Sequence, residues 1–268
     1  MFDISIIIQF ILLGAFVGFI SGLFGIGGGG IIVPILTGIL LSLQFDAKTV
    51  VHASIGTSMG IMAITSFSSM LAQHKKQAVL WDMFKLLVPS IIVGTFLASF
   101  LASYLSSFTL AIIFAIFMFL TSINMFFGSA PKNIEKEFSK RIHYISGAIF
   151  GILSALISVA GGMFIVPYLL AQGIDIKKAI GTSSAIGFIL TLSGALGYMI
   201  NGYMINHTSL DYTIGFLFLP AIFFVALASV FTAPIGVKLA HKMSSKLLKK
   251  IFSLIPFFLS IKLIYELV

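Results

Sequence analysis

Five glycines within six residues, Gly25-Ile26-Gly27-Gly28-Gly29-Gly30, run at once into Ile31-Ile32-Val33-Pro34 and interrupt an apolar stretch from about Ile4 to Phe45. Each glycine weakens a helix by about 1 kcal/mol and a proline by about 3, so a continuous helix through this run is disfavoured. At 1.5 Å per residue the stretch is also roughly twice the length needed to cross a 30 Å hydrocarbon core. An opened backbone at that depth leaves N–H and C=O groups unpaired, which is tolerated only against protein or a water-filled cavity. The run is therefore a candidate binding site, in a segment that either crosses with a break or turns back.

The rest of the chain has the same character. Of its 268 residues 59% are hydrophobic and 9% charged, with a mean hydropathy of +1.15, and several apolar runs exceed the roughly 18 residues of a spanning helix. This composition predicts an all-α polytopic membrane protein, partnered by the lipid bilayer, with no mass left for a separate catalytic domain. Met1-Phe2-Asp3-Ile4-Ser5 lacks a basic leader region, so the first segment is expected to be retained. The absence of cysteine removes disulfides, thiolate metal sites and cysteine nucleophiles. The net charge of +8 comes from lysines gathered in a few loops, which points to cytoplasmic anchoring and away from nucleic acid. All eight carboxylates, at 3, 46, 82, 135, 137, 175, 211 and 266, lie at segment ends or in loops, which disfavours an acidic proton relay through the membrane. With neither an HExxH motif nor a nucleotide-binding glycine motif, the chain reads as a non-enzyme without metal or cofactor.

Further apolar runs extend over about 50–71, 83–104 and 109–127, and then comes the one strongly hydrophilic stretch, Gly128 to Arg141. Beyond it the chain repeats itself. Setting Gly14 against Gly147, eleven of the twenty-three positions from Gly14 to Leu36 are identical, including Gly18 with Gly151, Ser21 with Ser154, Gly28-Gly29 with Gly161-Gly162, and Pro34 with Pro167. After a gap of eight residues Ile55-Gly56-Thr57-Ser58 matches Ile180-Gly181-Thr182-Ser183. The division is a first membrane repeat over 1–128, a cytoplasmic linker over 129–142 and a second membrane repeat over 143–268. Interrupted segments at matching positions of two halves point to a transporter site.

Basic residues gather at Lys75-Lys76, 132–141, Lys177-Lys178 and 238–250, whereas the joins at Ser106-Ser107 and 201–211 contain none. The positive-inside rule puts the four basic clusters in the cytoplasm. Only the segment over 143–172 separates two of them, too short for two crossings, so it is expected to enter and return. The matching first segment then does the same from outside. This predicts two inverted repeats, each a re-entrant or broken glycine-interrupted segment plus three transmembrane helices, with both termini outside and the two breaks meeting near the midplane.

The breaks have a chemical use. Where a half-helix begins, unpaired N–H groups and about half a positive charge favour an anion. Gly25 and Gly27 to Gly30 open one such half-helix and Gly161-Gly162 the other, with Pro34 and Pro167 expected near the bond-free start of each. Thr57, Ser58, Thr182 and Ser183 supply matched neutral hydroxyl donors. His52 is the one titratable group near that site and is a candidate for coupling to pH near 6.5. The competing explanations are close helix packing for the glycines, as expected for Gly14 and Gly18, and back-bonding to the helix for the hydroxyls.

Gly25-Ile-Gly-Gly-Gly-Gly with Ile-Ile-Val-Pro34, its copy Ala160-Gly161-Gly162 with Ile165-Val166-Pro167, and the paired Gly-Thr-Ser at 56–58 and 181–183 resemble the sulfite exporter TauE/SafE family of membrane permeases over nearly the whole chain. The resemblance implies a multi-pass protein of the bacterial inner membrane. It also implies a permease that exports a small anion, a sulfur oxyanion or organosulfonate, with Gly27 to Gly30, Thr57, Ser58, Gly161, Gly162, Thr182 and Ser183 lining its path. An anion channel using the same half-helix ends is the alternative. Ser158 and Ala160 stand where the first copy has Gly25 and Gly27, so the second break is expected to be less open.

Overall fold

A computed structural model of the chain describes residues 3–25, 27–102, 139–204 and 212–244, with a few isolated positions outside these ranges. It is helical: α1 (Ile4–Phe24), α2 (Gly29–Ser42), α3 (Val50–Lys75), α4 (Trp81–Ala102), α5 (Lys140–Ile157), α6 (Gly162–Ala171), α7 (Ile176–Met204) and α8 (Leu219–Lys242). The join before α8 holds two-residue strands, β1 (Thr213–Ile214) and β2 (Leu217–Phe218), paired antiparallel. Among the described residues five helices, α1, α3, α4, α7 and α8, are long and apolar enough to cross a membrane, while α2 and α6 are shorter apolar helices. The expected span over 109–127, most of the linker and the last apolar run lie outside the described residues.

α3 and α7 form the centre. They run antiparallel, with Ser66 near Gly187 and Met59 near Gly194, and both are buried over most of their length. α4 lies parallel to α7, where Ser193 donates to Ile92 O at 3.2 Å and Asn201 to Ser99 O at 3.0 Å. α8 lies parallel to α3, where the hydroxyls of Thr65 and Ser229 meet at 2.6 Å.

The broken segments pack against the far half of the sequence. α1 runs parallel to α8, with Gly14, Gly18 and Gly22 seated on the backbone of Val225, Ser229 and Ala233. α5 runs parallel to α4, with Gly147 on Leu87 O and Gly151 on Ile91 O and Thr95 N. A methyl added at any of these glycines would overlap the partner or press hard on it, so the close approach requires glycine. The packing role expected for Gly14 and Gly18 is therefore observed.

Both broken segments turn back. At the open end of the first, Phe10 on α1 and Phe45 beyond α2 meet the ring of Phe218 edge-on, at centroid distances of 6.5 and 5.4 Å. In the second, Phe150 stacks on Phe164 at 5.7 Å, and the Tyr168 hydroxyl meets His143 Nδ1 at 2.8 Å. The arms are unequal, 21 and 14 residues in the first and 18 and 10 in the second. With α4 and α5 parallel, Lys75-Lys76, Lys140-Arg141, Lys177-Lys178 and Lys242 all fall at one end of the bundle, and there Lys177 Nζ donates to His241 O at 3.0 Å. This arrangement predicts that single cysteines replacing exposed Lys140 and Lys178 label from the same face of the membrane in cysteine-free protein, and that cysteines replacing Asp3 and Lys48 label from the other. Labelling of Lys140→Cys and Lys178→Cys from opposite faces would contradict the hairpin.

Candidate functional site

Each break joins the end of one helix to the start of the next. Gly25 caps α1 in the left-handed conformation at φ 69°, and its N–H donates to Ser21 O at 2.7 Å. Gly27 and Gly28 follow at φ 72° and 85°, conformations that strain any residue carrying a Cβ. Gly28 caps α2, its carbonyl accepting from Ile31 N at 2.9 Å and Ile32 N at 3.0 Å. The first N–H groups of α2, at Gly29 and Gly30, precede these bonds and have no intrahelical acceptor.

The second break begins with the same kind of cap, made by other residues. Ser158, at the position of Gly25, caps α5 in the left-handed region at φ 49°, with its N–H on Ser154 O. Its hydroxyl donates to Ile55 O on α3 at 3.4 Å. Gly161, at the position of Gly28, keeps a right-handed φ of −40° and caps α6, where its carbonyl accepts from Ile165 N at 2.7 Å. The second copy thus needs one left-handed residue where the first has three. Pro34 and Pro167 each stand sixth in their helices, one turn beyond the bond-free start that the sequence suggested. There the missing N–H deprives Gly30 O and Met163 O of their helical donors.

The two breaks touch. A methyl at Gly27 would overlap the Ala160 Cβ, its own repeat equivalent, and one at Gly29 would overlap the Ser158 carbonyl. Met62, in the middle of α3, covers the first break, its Sδ 2.8 Å from where a Gly29 Cβ would lie. Gly187, the equivalent residue of α7, faces the second. A methyl there would sit 3.6 Å from the Ala160 Cβ and 3.7 Å from Gly161 N, in ordinary contact. Every described residue from Gly25 to Gly30 and from Ser158 to Gly162 is buried.

The hydroxyls divide into two sets. Thr57 Oγ1 accepts from Phe218 N at 2.9 Å and donates to Phe216 O at 3.4 Å. Thr182 Oγ1 accepts from Leu80 N at 2.9 Å. A methyl at Gly56 or Gly181 would crowd Phe216 O or overlap Ala78 O. Each Gly-Thr pair therefore clamps the loop that enters α8 or α4. The adjoining serines behave differently: Ser183 Oγ donates to Ile180 O at 3.0 Å and reaches Gly25 O at 3.5 Å, whereas Ser58 Oγ, on the α3 face of Ile55 and Met62, is buried without a partner among the described residues.

His52 Nε2 lies 3.1 Å from both Ala102 O and Leu105 O, at the end of α4. A ring nitrogen between two carbonyls carries the hydrogen. Its repeat equivalent is Lys177, which donates to His241 O near the end of α8 at the opposite end of the bundle. Matching basic side chains thus hold the C-terminal carbonyls of α4 and α8, where a helix end favours a cation.

Sequence reasoning did not single out Met62 and Gly187, which lie against the breaks, or Ser21 and Ser154, whose hydroxyls are buried without a partner among the described residues. The last two were visible as an identity between the repeats, but nothing in one dimension shows that a hydroxyl lacks an acceptor.

A family model for the sulfite exporter TauE/SafE matches residues 10–263. A Haemophilus influenzae protein named "Probable membrane transporter protein" is 32% identical over 251 residues, covering 93% of this chain and 95% of its own. A protein of Methanocaldococcus jannaschii with the same description is 28% identical over 91% of this chain and 90% of its own. YunE of Bacillus subtilis, also described as a probable membrane transporter, is 22% identical over 96% of both. No solved structure matches. A polytopic helical bundle, a duplicated glycine break and a match over nearly the full length agree, and the chain belongs to the sulfite exporter TauE/SafE family of membrane transporters.

Proposed function

We propose that this transporter exports a small sulfur oxyanion or organosulfonate by alternating access, binding it at mid-depth where the two breaks meet. The observation that carries this reading is the contact of Gly27 with Ala160, which brings the starts of two half-helices, α2 and α6, to one place. Each start contributes about half a positive charge, so the pair offers about one, without a charged side chain. Charge-assisted hydrogen bonds of roughly 1.5–3 kcal/mol each offset the anion's dehydration. The N–H groups at Gly28 to Gly30, Gly161 and Gly162, the hydroxyl of Ser58 and, on turning away from Ile180 O, that of Ser183 are the proposed donors. Thr57 and Thr182 serve the site by fixing the loops into α8 and α4.

The packing of each broken segment on the other half's last described helix supports inverted repeats that rock about α3 and α7. Burial of both breaks favours a carrier over an open anion channel, and unitary currents would reverse that preference. In the carrier the contacts at His52 and at Lys177 act as reciprocal latches, one at each end, and a non-enzymatic role follows from the same reading.

Gly187→Ala is the most direct variant. The added methyl fits without overlap and improves the helix, yet it covers the Gly161 N–H. The purified variant is expected to melt at or above the wild-type temperature while labelled sulfite uptake in proteoliposomes falls about tenfold or more. Wild-type uptake by both Gly187→Ala and Gly187→Val would remove the site from the breaks. His52→Gln, which retains an N–H donor toward Ala102 and Leu105, is expected to fold and to flatten any pH dependence of transport. An unchanged profile would return His52 to a purely structural role.

A further inference from the structure

Six side chains hold buried polar atoms without a partner among the described residues, and three of them border the breaks: Ser21, Ser154 and Ser58. They are 1%, 0% and 0% exposed. Burying a hydroxyl without a partner is destabilising, and helix serines escape it by donating to the carbonyl three or four residues back. Ser183, Ser184 and Thr191 do so here. Ser21, Ser58 and Ser154 do not.

Their placement is not random. Ser21 and Ser154 are repeat equivalents, each one turn before its break, and their carbonyls cap Gly25 and Ser158. Ser21 shares a face of α1 with Val17, which packs on Gly28. Ser58 lies on α3 between Ile55, whose carbonyl takes the Ser158 hydroxyl, and Met62, which covers Gly27 and Gly29. The remaining three lie elsewhere. Ser69 and Gln73 are toward the end of α3, with Ser69 about 16 Å along the helix from Ser58 at 1.5 Å per residue, and Thr95 is in the α4–α5 interface.

We infer that the Ser21 and Ser154 hydroxyls, with Ser58, are donors to the transported anion, and that they select an oxyanion with several acceptor oxygens over a halide. This rests on the anion site proposed above and assigns it two specificity residues, one from each broken segment. Three O–H donors on separate helices match an ion whose oxygens diverge from one centre, whereas a spherical halide gains less from donors so spread. Because the hydroxyls are neutral, they select without holding the ion too tightly for release.

The test uses purified full-length protein titrated with sodium sulfite, sodium sulfate and sodium chloride, reading Kd and the melting temperature without anion. Wild type is expected to bind an oxyanion saturably and at least tenfold more tightly than chloride. Ser21→Ala and Ser154→Ala should each weaken oxyanion binding about tenfold and together about a hundredfold, leaving chloride within about threefold. Their anion-free melting temperatures should equal or exceed the wild type, because an unsatisfied group has been removed. The distant Ser69→Ala should bind as wild type. Unchanged oxyanion Kd in both alanine variants would overturn the inference and leave the anion site standing, as would a lower anion-free melting temperature with unchanged selectivity. Absence of saturable oxyanion binding by wild type would overturn the anion site and this inference together.

Discussion

A backbone that opens inside a bilayer must find partners for its polar groups within the protein, and most of this structure follows from how two openings are accommodated. Each break is first closed by its own helix end, through Gly25 N–H to Ser21 O and Ser158 N–H to Ser154 O. Each is then set against the centre of the fold: Gly25 beside Ser183 and Ile180 on α7, and Ser158 beside Ile55 on α3. Neither opening is shielded by its own half alone. The stripe of Gly14, Gly18 and Gly22 on α8, and of Gly147 and Gly151 on α4, brings the broken segments close enough for that shielding. Loss of this packing would expose the opened backbone to hydrocarbon at a cost of several kcal/mol per unpaired group.

The same constraint explains the clamps. The loops entering α4 and α8 are themselves irregular and buried, with Ala78, Val79, Phe216 and Phe218 all less than a tenth exposed. Their amides need acceptors, and Thr182 and Thr57 supply one to Leu80 N and one to Phe218 N. The threonines therefore satisfy loop backbone. Two further contacts hold helix ends, His52 at Ala102 O and Leu105 O at the end of α4 and Lys177 at His241 O at the opposite end of the bundle, and these are the contacts that the proposed alternating access would break in turn.

Much of this was legible in the sequence because glycine and proline carry backbone information directly. The run from Gly25 to Gly30 announced an opening, its spacing to Pro34 recurred at Gly161 to Pro167, and loop charge separated the ends of the bundle. What was not legible depended on partners distant in the chain. Thr57 meets Phe218 across 161 residues and Thr182 meets Leu80 across 102, so spacing alone could not tell a clamp from an anion donor. Ser158 stands where the first copy has Gly25, and a serine in the left-handed region, held beside Ile55 O, caps α5 as Gly25 caps α1, which its residue type did not announce. The glycines open the half-helices as expected, but Pro34 and Pro167 stand one turn past the bond-free start because the helices begin at Gly29 and Gly162.

The central claim is that the two breaks form one anion site. Selenite is isosteric with sulfite, and selenium scatters anomalously, so a crystal of the full-length protein grown with sodium selenite locates the ion without ambiguity about water. The account predicts a principal anomalous peak between Gly27 to Gly30 and Ala160 to Gly162, within hydrogen-bond reach of Ser21 and Ser154. A principal peak at the basic loops around Lys177 and Lys242, with none at the breaks, would contradict it.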